Sequence, residues 1–264
     1  MLQHHAATLV TWNVEWATPR SWSRRDEILR RIERHVPDIV CLTETDVRLL
    51  SDQAGHTIHS QPDGVKATGE LRKVVLWSRE PWEQVDDRGS ASLPPGKFVS
   101  GVTRTPLGRV TVIGVCIPFH GARTRWTNDG VVRKAWEDHE QYLTGLSEVL
   151  ERTSPKRLIV TGDFNQQVGQ PGYAPGAQRD ALRAAIPPHL TIATSTLGFG
   201  GRRIIDHVAL SEDLSARSLT LIDRYHGDRT LSDHPGIVAD LSAQRYTSRP
   251  ERTSWGVARR APSA

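Results

Sequence analysis

Short apolar runs bounded by polar or turn residues recur along the whole chain. Runs of four to nine residues that are rich in Val, Ile and Leu predict β-strands. They cover residues 7–12, 39–43, 74–78, 98–105, 109–117, 157–161, 204–210, 219–222 and 237–241. The Pro-Leu-Gly sequence that ends at Gly108 predicts a tight turn between the fourth and fifth strands. Residues 46–50 form a short helix-like stretch.

Two segments have apolar residues at helical spacing. The first follows a capping-box pattern, Ser23 with Asp26, and stops before Pro37. Its apolar positions are Ile28, Leu29, Ile32 and Val36. The second covers about 131–151, with a stripe of Val132, Trp136, His139, Leu143, Leu146 and Leu150. Because His139 lies on that stripe, we interpret it as a buried, hydrogen-bonded core histidine rather than a ligand.

The alternation of strands and helices predicts one layered α/β domain over residues 7–243. The Gly- and Pro-rich residues 166–176 predict a loop beside the functional site. Residues 244–264, mostly Arg, Ser, Thr and Pro, predict a flexible tail. A chain of 264 residues can bury a core without disulfides. We accordingly interpret Cys41 and Cys116, which lie inside predicted strands, as small buried apolar residues.

Composition narrows the functional classes. With 37% hydrophobic and 24% charged residues, the chain is neither disordered nor fibrous, nor a disulfide scaffold. It has no apolar run of about 18 residues, as a membrane helix needs, and no basic and apolar leader, so we expect a cytoplasmic protein. The net charge is +4, and Arg far outnumbers Lys. Arg matches phosphate geometry, but a GC-rich gene explains the same excess, so charge alone only suggests an anionic substrate.

Polar residues close many of the predicted strands. They are Asn13, Glu44, Asp163, Asn165, Asp206, His207, Asp233 and His234. Strand ends hold side chains rigidly at the rim of a sheet, and several acids gathered there require a cation. Oxygen donors without cysteine select Mg²⁺ or Mn²⁺ over zinc, and such an ion favours a phosphate-bearing substrate. Taken singly, each of these residues is better explained as a turn, capping or surface residue.

Five motifs in order resemble one family. Thr11-Trp-Asn13, Cys41-Leu-Thr-Glu44, Thr161-Gly-Asp-Phe-Asn165, Ile205-Asp-His207 and Leu231-Ser-Asp-His234 are similar to those of the endonuclease/exonuclease/phosphatase (DNase I-like) superfamily of metal-dependent phosphoesterases. The resemblance extends over about residues 9–241. It implies a four-layer α/β/β/α sandwich of two mixed β-sheets face to face with helices outside, and a site at one edge of the sheets.

The resemblance also implies roles for individual residues. Glu44 would be the principal ligand of Mg²⁺ or Mn²⁺, with Asn13 and Asp233 close to the ion or its waters. Asp163 would orient or deprotonate the attacking water, and Asn165 would hold that water or the phosphate. His234 would contact the scissile phosphate, with Asp206 bonded to its other ring nitrogen. His120 resembles the family histidine that protonates the leaving oxygen. His207, the strand neighbour of Asp206, should point to the opposite face, and we interpret it as structural.

Some positions leave two interpretations open. The loop after His120 carries Arg123, Arg125 and Trp126 as candidate substrate contacts, although packing explains Trp126 equally well. Glu15 is either linked to the metal through water or solvated, and Glu70 either orients His120 or faces solvent. Glu44 is followed by Thr45-Asp46 rather than the Thr-Lys pair of DNA-repair members, which weakens a repair role.

Three functions remain as hypotheses. The first is a metal-dependent, nuclease-like phosphodiesterase, with nucleic acid as the candidate partner. The second is a phosphatase or phosphodiesterase for a small molecule such as an inositol phosphate, a lipid headgroup or a nucleotide. The third is a non-catalytic binding module, which the complete set of polar residues disfavours. The sequence predicts no particular protein partner.

Overall fold

The structure is a computed structural model that describes residues 6–18, 21, 24–63, 69–122, 134–168 and 172–243, apart from the side chain of Arg202. In chain order the strands are β1 Ala6–Ala17, β2 Ile39–Asp46, β3 His56–His59, β4 Leu71–Ser78, β5 Glu83–Asp86, β6 Phe98–Thr105, β7 Gly108–Cys116, β8 Leu158–Asp163, β9 Leu190–Ile192, β10 Gly198–Phe199, β11 Arg202–Arg203, β12 Asp206–Ser211, β13 Leu214–Ile222, β14 Tyr225–His226, β15 Arg229–Thr230 and β16 Gly236–Ala243. The helices are α1 Arg25–Glu33, α2 Glu137–Arg152 and α3 Gly176–Ala185.

Two six-stranded mixed sheets form the body of the domain. Sheet I has the order β13-β16-β1-β2-β4-β3, and sheet II has the order β5-β6-β7-β8-β12-β9. Each sheet has one parallel pair, β1 with β2 and β7 with β8, among antiparallel neighbours. Two small hairpins, β10 with β11 and β14 with β15, precede β12 and β16 respectively.

The sheets pack face to face with helices outside. One apolar cluster joins the inner faces of both sheets, a second joins α2 and α3 to sheet II, and a third joins α1 to sheet I. Strand alternation explains this division in β1, where Leu9 faces the inter-sheet core while Val10 and Trp12 face α1. Because both faces of each sheet are covered, the central strands are nearly continuous apolar runs. The predicted four-layer sandwich is confirmed.

Every strand predicted from the sequence is present, several of them longer than expected. The turn that ends at Gly108 and a 3-10 helix at Val47–Leu50 are also found. Strands β3 and β5 escaped prediction because they lie at sheet edges, mostly exposed, and lack an apolar run. Cys41 and Cys116 are free and buried in strands, as predicted.

The helix predictions need three corrections. Helix α2 begins at Glu137 rather than near 131, and Trp136 precedes it with φ +72°, so Trp136 is not part of the core stripe. Helix α3 was missed inside a segment that is mostly Ala and Arg, where only two side chains are buried. Val36 is 66% exposed with φ +48°, because α1 has already ended at Glu33. Ser23 and the predicted tail lie outside the described residues.

Among the residues that the structure describes, no helix is long and apolar enough to cross a bilayer.

Candidate active site

Strand register places two carboxylates side by side in sheet II. Asp163, at the end of β8, lies directly opposite Asp206 at the start of β12. Gly162 makes this placement feasible, since it has φ +131° and a Cβ there would lie 2.1 Å from the Val115 carbonyl oxygen. Like charges directly opposite on neighbouring strands repel each other. The pair therefore needs a compensating positive group.

His234 supplies that group from the loop that precedes β16 of sheet I. Its Nδ1 lies 2.5 Å from Asp206 Oδ2. Burial alone would lower the pKa of His234, but the Asp206 carboxylate, helped by Asp163 and Asp233, raises it to about 10. The ring is therefore an imidazolium at neutral pH. Ser232 holds the loop in place by donating to the Asn13 carbonyl oxygen and accepting from the His234 N–H.

Asp163 is buried and accepts three hydrogen bonds. Its Oδ2 accepts from Asn13 Nδ2 at 3.0 Å and from Asn165 Nδ2 at 2.9 Å, and its Oδ1 accepts from the Asn165 N–H at 2.8 Å. A carboxylate offers about four acceptor positions, so Oδ1 retains one for a further donor. Burial, together with Asp206, raises the pKa of Asp163, while His234 and the hydrogen bonds oppose that rise. A buried carboxylate with an elevated pKa and a free acceptor position is suited to take a proton.

Glu44 reaches the same cavity through an irregularity in sheet I. The register between β1 and β2 shifts after Asn13, and Glu44 has φ +52°. Its Oε1 accepts from Lys73 Nζ on the neighbouring β4 at 2.7 Å. Glu15, Trp16 and Asn165 also have positive φ. Strained backbone of this kind clusters at functional sites, where it is maintained by the surrounding structure.

These side chains line one cavity of about 550 Å³. Its walls include Asn13, Glu44, Asp163, Asn165, His120, Asp233 and His234, together with Lys73, Lys97, Asp63 and Tyr173. Asp206 does not line the cavity itself but is hydrogen-bonded to His234, which does. Asp233 is 61% exposed, and its Oδ1 is 3.7 Å from His234 Nε2. The structure thus brings together all eight residues for which the sequence predicted a catalytic or metal-binding role.

The donors along this cavity suit a hard divalent ion. Glu44 and Asp233 offer carboxylate oxygens, and Asn13 offers an amide oxygen that also accepts from the Glu15 N–H. Cys116 lines the cavity too, but burial raises the pKa of its thiol, so it is no thiolate ligand at neutral pH. Asp163, Asp206 and His234 also lie close enough to share an ion. Because His234 Nδ1 is already hydrogen-bonded to Asp206 Oδ2 at 2.5 Å, we interpret that trio as a charge network and not as a metal cage.

The other residues considered in the sequence analysis have different outcomes. Arg123, Arg125 and Trp126 are outside the described residues. Glu15 is about half exposed and pairs with Arg24, which favours the solvated interpretation. Glu70 is exposed and does not line the cavity, so nothing in the described part of the chain links it to His120. His139 is fully buried between the Pro118 carbonyl oxygen and Gln166, as predicted for a core histidine.

His207 faces away from the cavity and is held as a neutral ring. His207 Nε2 donates to the Gln166 carbonyl oxygen, so Nδ1 of the neutral ring accepts from the Thr194 hydroxyl, whose oxygen in turn accepts from the Val208 N–H. Burial lowers the pKa of His207 from 6.5 to about 4.

We expect stability to fall as pH drops from 6.5 to 4. In that window the unfolded chain protonates His207 and the folded chain does not, so up to about 3 kcal/mol of unfolding free energy is lost. Urea unfolding of the wild type and His207→Gln at pH 7, 5 and 4 measures this effect. The variant should be less stable at pH 7 but show a shallower pH dependence. Equal pH slopes would contradict a neutral His207.

Sequence reasoning missed four polar residues that line the cavity, namely Asp63, Lys73, Lys97 and Tyr173. Lys73 and Lys97 lie inside β4 and just before β6, and Lys97 Nζ is 3.7 Å from Asp63 Oδ2. Tyr173 lies in the predicted loop, and its hydroxyl donates to the Asn165 carbonyl oxygen at 2.5 Å. A lysine directly before the apolar run of β4 was the available signal, because an ammonium in a largely buried strand needs a partner.

A two-sheet sandwich with a polar cavity of this kind is the arrangement that the sequence motifs predicted. The model of the Endonuclease/Exonuclease/phosphatase family matches residues 10–234. The chain therefore belongs to this family, whose members are hydrolases that act on phosphoester bonds and generally use a divalent metal. A comparison with curated proteins gives no match.

Solved structures share the fold at low identity. TDP2 of D. rerio, humanized by 14 mutations, is 13% identical with a TM-score of 0.66, over 90% of this chain and 100% of that one. A variant of the 3′ phosphatase NExo from Neisseria, bound to a product DNA hairpin, is 17% identical with a TM-score of 0.65, over 88% and 98%. An endonuclease/exonuclease/phosphatase from Beutenbergia cavernae DSM 12333 is 18% identical with a TM-score of 0.61, over 90% and 72%.

Proposed function

We propose that this chain is a Mg²⁺- or Mn²⁺-dependent phosphodiesterase whose substrate is nucleic acid. The observation that carries the proposal is the single cavity in which Asp163, braced by Asn13 and Asn165, lies beside the His234–Asp206 pair, with Glu44 across from them. The neighbours that bind DNA support nucleic acid as the substrate class.

Each side chain has a separate task in the proposed hydrolysis. The free acceptor position of Asp163 Oδ1 takes the proton of the attacking water, whose oxygen forms the new bond to phosphorus. The imidazolium of His234 donates a charge-assisted hydrogen bond to a phosphate oxygen, and Asp206 holds its ring. His120, at the mouth, gives a proton to the leaving oxygen as the ester bond breaks. Glu44, Asn13 and Asp233 would hold the ion, which offsets negative charge on the phosphate when bound.

A panel of substrates tests the proposal. Plasmid DNA, RNA, an aryl phosphodiester and inositol phosphates are incubated with the protein under Mg²⁺. We expect strand cleavage of a nucleic acid and hydrolysis of the aryl phosphodiester. If no member of the panel is hydrolysed under Mg²⁺ or Mn²⁺, the proposed activity is wrong.

A second candidate is hydrolysis of a small phosphoester. The cavity of about 550 Å³ falls within the usual range for small-molecule sites and would hold one nucleotide or one phosphorylated headgroup. Hydrolysis of inositol phosphates without cleavage of DNA or RNA would favour this candidate.

His120→Ala should affect substrates unequally. Nucleic acid releases an alkoxide, which leaves poorly without a proton, whereas a nitrophenyl phosphodiester releases nitrophenolate, which leaves unaided. We therefore expect a loss in kcat of about 10²-fold on nucleic acid and only a few-fold on the nitrophenyl phosphodiester. His56→Ala, an exposed histidine of β3, is the matched control and should keep full activity. An equal loss on both substrates would argue against the acid role of His120.

A further inference from the structure

Four aromatic rings form a continuous cluster beside the cavity, and three of them, Phe119, His120 and Tyr173, line it. We call Phe119, His120, Trp136 and Tyr173 the aromatic shelf. His120 is at its centre, with its ring centroid 5.8 Å from Phe119, 5.6 Å from Trp136 and 6.0 Å from Tyr173. Trp136 and Tyr173 are 5.7 Å apart and only 30° from parallel. These spacings are those of aromatic pairs in direct contact.

The shelf is held rigidly. Trp136 immediately precedes α2 and has a left-handed φ of +72°. Its backbone N–H donates to the His120 carbonyl oxygen at 2.8 Å. Its ring also packs against buried His139, with the centroids 5.1 Å apart. The hydroxyl of Tyr173 is tied to the backbone of Asn165, close to Asp163. Trp136 thus packs against His120 and Tyr173, the two rings beside it that line the cavity, without lining it itself.

Three of these rings are exposed, namely His120 and the larger rings of Phe119 and Tyr173. Phe119 is 52% exposed and Tyr173 is 50% exposed, and both line the cavity. The other large apolar side chains exposed in the described part of the chain, Val36, Val85 and Tyr225, do not line it. Exposed apolar surface is unfavourable unless something covers it, and here it adjoins the group proposed to protonate the leaving oxygen.

We propose that the aromatic shelf binds an unpaired nucleobase on the leaving-group side of the scissile phosphate, by stacking on Phe119 and Tyr173. This inference rests on the proposed phosphodiesterase function, and it narrows the substrate to single-stranded or frayed nucleic acid or to a nucleotide. A base within a duplex already stacks on its neighbours and cannot reach the shelf. Stacking of one base on aromatic side chains contributes enough to change affinity by about 10-fold or more.

The test compares two oligomers of equal charge. A labelled hexathymidylate and an abasic chain with the same number of phosphates are titrated with the whole protein in EDTA, and binding is followed by fluorescence anisotropy. We expect the wild type to bind the thymidylate about 10-fold more tightly. Phe119→Ala and Tyr173→Ala should lose that preference and keep the affinity for the abasic chain.

Two controls separate stacking from damage to the site. Tyr173→Phe keeps the ring and loses only the hydroxyl, so it should retain the preference for the thymidylate. Tyr225→Ala removes an exposed aromatic ring outside the cavity and should also retain it. A loss of preference in Tyr225→Ala equal to that in Tyr173→Ala would overturn the proposal, because the effect would not be local to the shelf.

Further outcomes distinguish this inference from the proposed function. Equal wild-type binding of both oligomers overturns the shelf as a base site, even if the protein cleaves phosphodiesters. A base preference lost in Phe119→Ala, without hydrolysis of any substrate in the panel, supports the shelf and contradicts the phosphodiesterase function. If inositol hexakisphosphate binding weakens by the same factor in Phe119→Ala, the shelf does not select bases and the proposal fails.

Discussion

Asp163→Asn is expected to lower kcat by about 10³–10⁴-fold while leaving the fold intact. The loss follows because an amide cannot take a proton from the attacking water, and removal of a general base costs up to about 10⁴-fold. The fold survives because the amide oxygen of the asparagine can still accept from Asn13 and Asn165 in place of Oδ2. The substitution sacrifices one hydrogen bond, from the Asn165 N–H, but it also removes a charge that faces Asp206.

Steady-state kinetics measures the loss of kcat, and thermal unfolding measures whether the fold is intact. We expect a melting temperature within about 4 °C of the wild type, equivalent to roughly 1 kcal/mol for a chain of this size. Asp180→Asn is the matched control, since Asp180 is exposed on α3 and pairs with Arg183. Near-normal turnover in Asp163→Asn would remove Asp163 from the role of base. A large fall in melting temperature would leave unfolding as the cause of lost activity.

Chelation is expected to reduce hydrolysis to background, and added Mg²⁺ or Mn²⁺ to restore it. Glu44→Gln should in addition raise the Mg²⁺ concentration needed for half-maximal activity by at least about 100-fold. That factor is the upper end for residues that merely orient a metal ligand, and Glu44 is proposed as a ligand itself. The amide oxygen of the glutamine can still accept from Lys73, so the substitution removes the negative charge while keeping that hydrogen bond.

Mg²⁺ titrations of activity and of melting temperature together test this expectation. Wild-type protein should be stabilised by Mg²⁺, and Glu44→Gln should lose that stabilisation, because an ion that binds only the folded state raises the melting temperature. Glu83→Gln, an exposed residue of β5 paired with Arg109, should behave as the wild type. Activity that is indifferent to chelator would contradict the metal site altogether.

Much of the fold was predictable because burial leaves a local record. Strands β6 and β8 lie inside sheet II and are largely buried, so their residues form apolar runs that are visible without any structure. His139 was predictable as a core residue for the same reason, since it recurs with Leu143 and Leu146 on one helical face. Where burial is slight, as in β3 and α3, the pattern is absent and the elements were missed.

The candidate site was predictable as a set of residues but not as an arrangement. Asp163 ends β8 and Asp233 lies just before β16, whereas Asn13 lies inside β1 where its pairing with β2 becomes irregular. The order of these three residues along the chain matches that of one family. Nothing local to Lys73 shows that it pairs with Glu44, because the contact depends on the register between β2 and β4. Trp136 was assigned to the core stripe because its spacing is helical. Spacing alone cannot reveal that α2 begins only at Glu137, the residue after Trp136.

The sequence by itself determined where the buried central strands lie, which residues fill most of the core, and which polar residues belong to the candidate site. Only the tertiary structure decided that Asp163 faces Asp206 and that His234 lies beside this pair of carboxylates and offsets their charge. It also decided that three further aromatic rings surround His120. The physical reason is that hydrophobic periodicity reports how each segment meets water. Contacts between distant segments depend on strand register and sheet packing, which no single segment encodes.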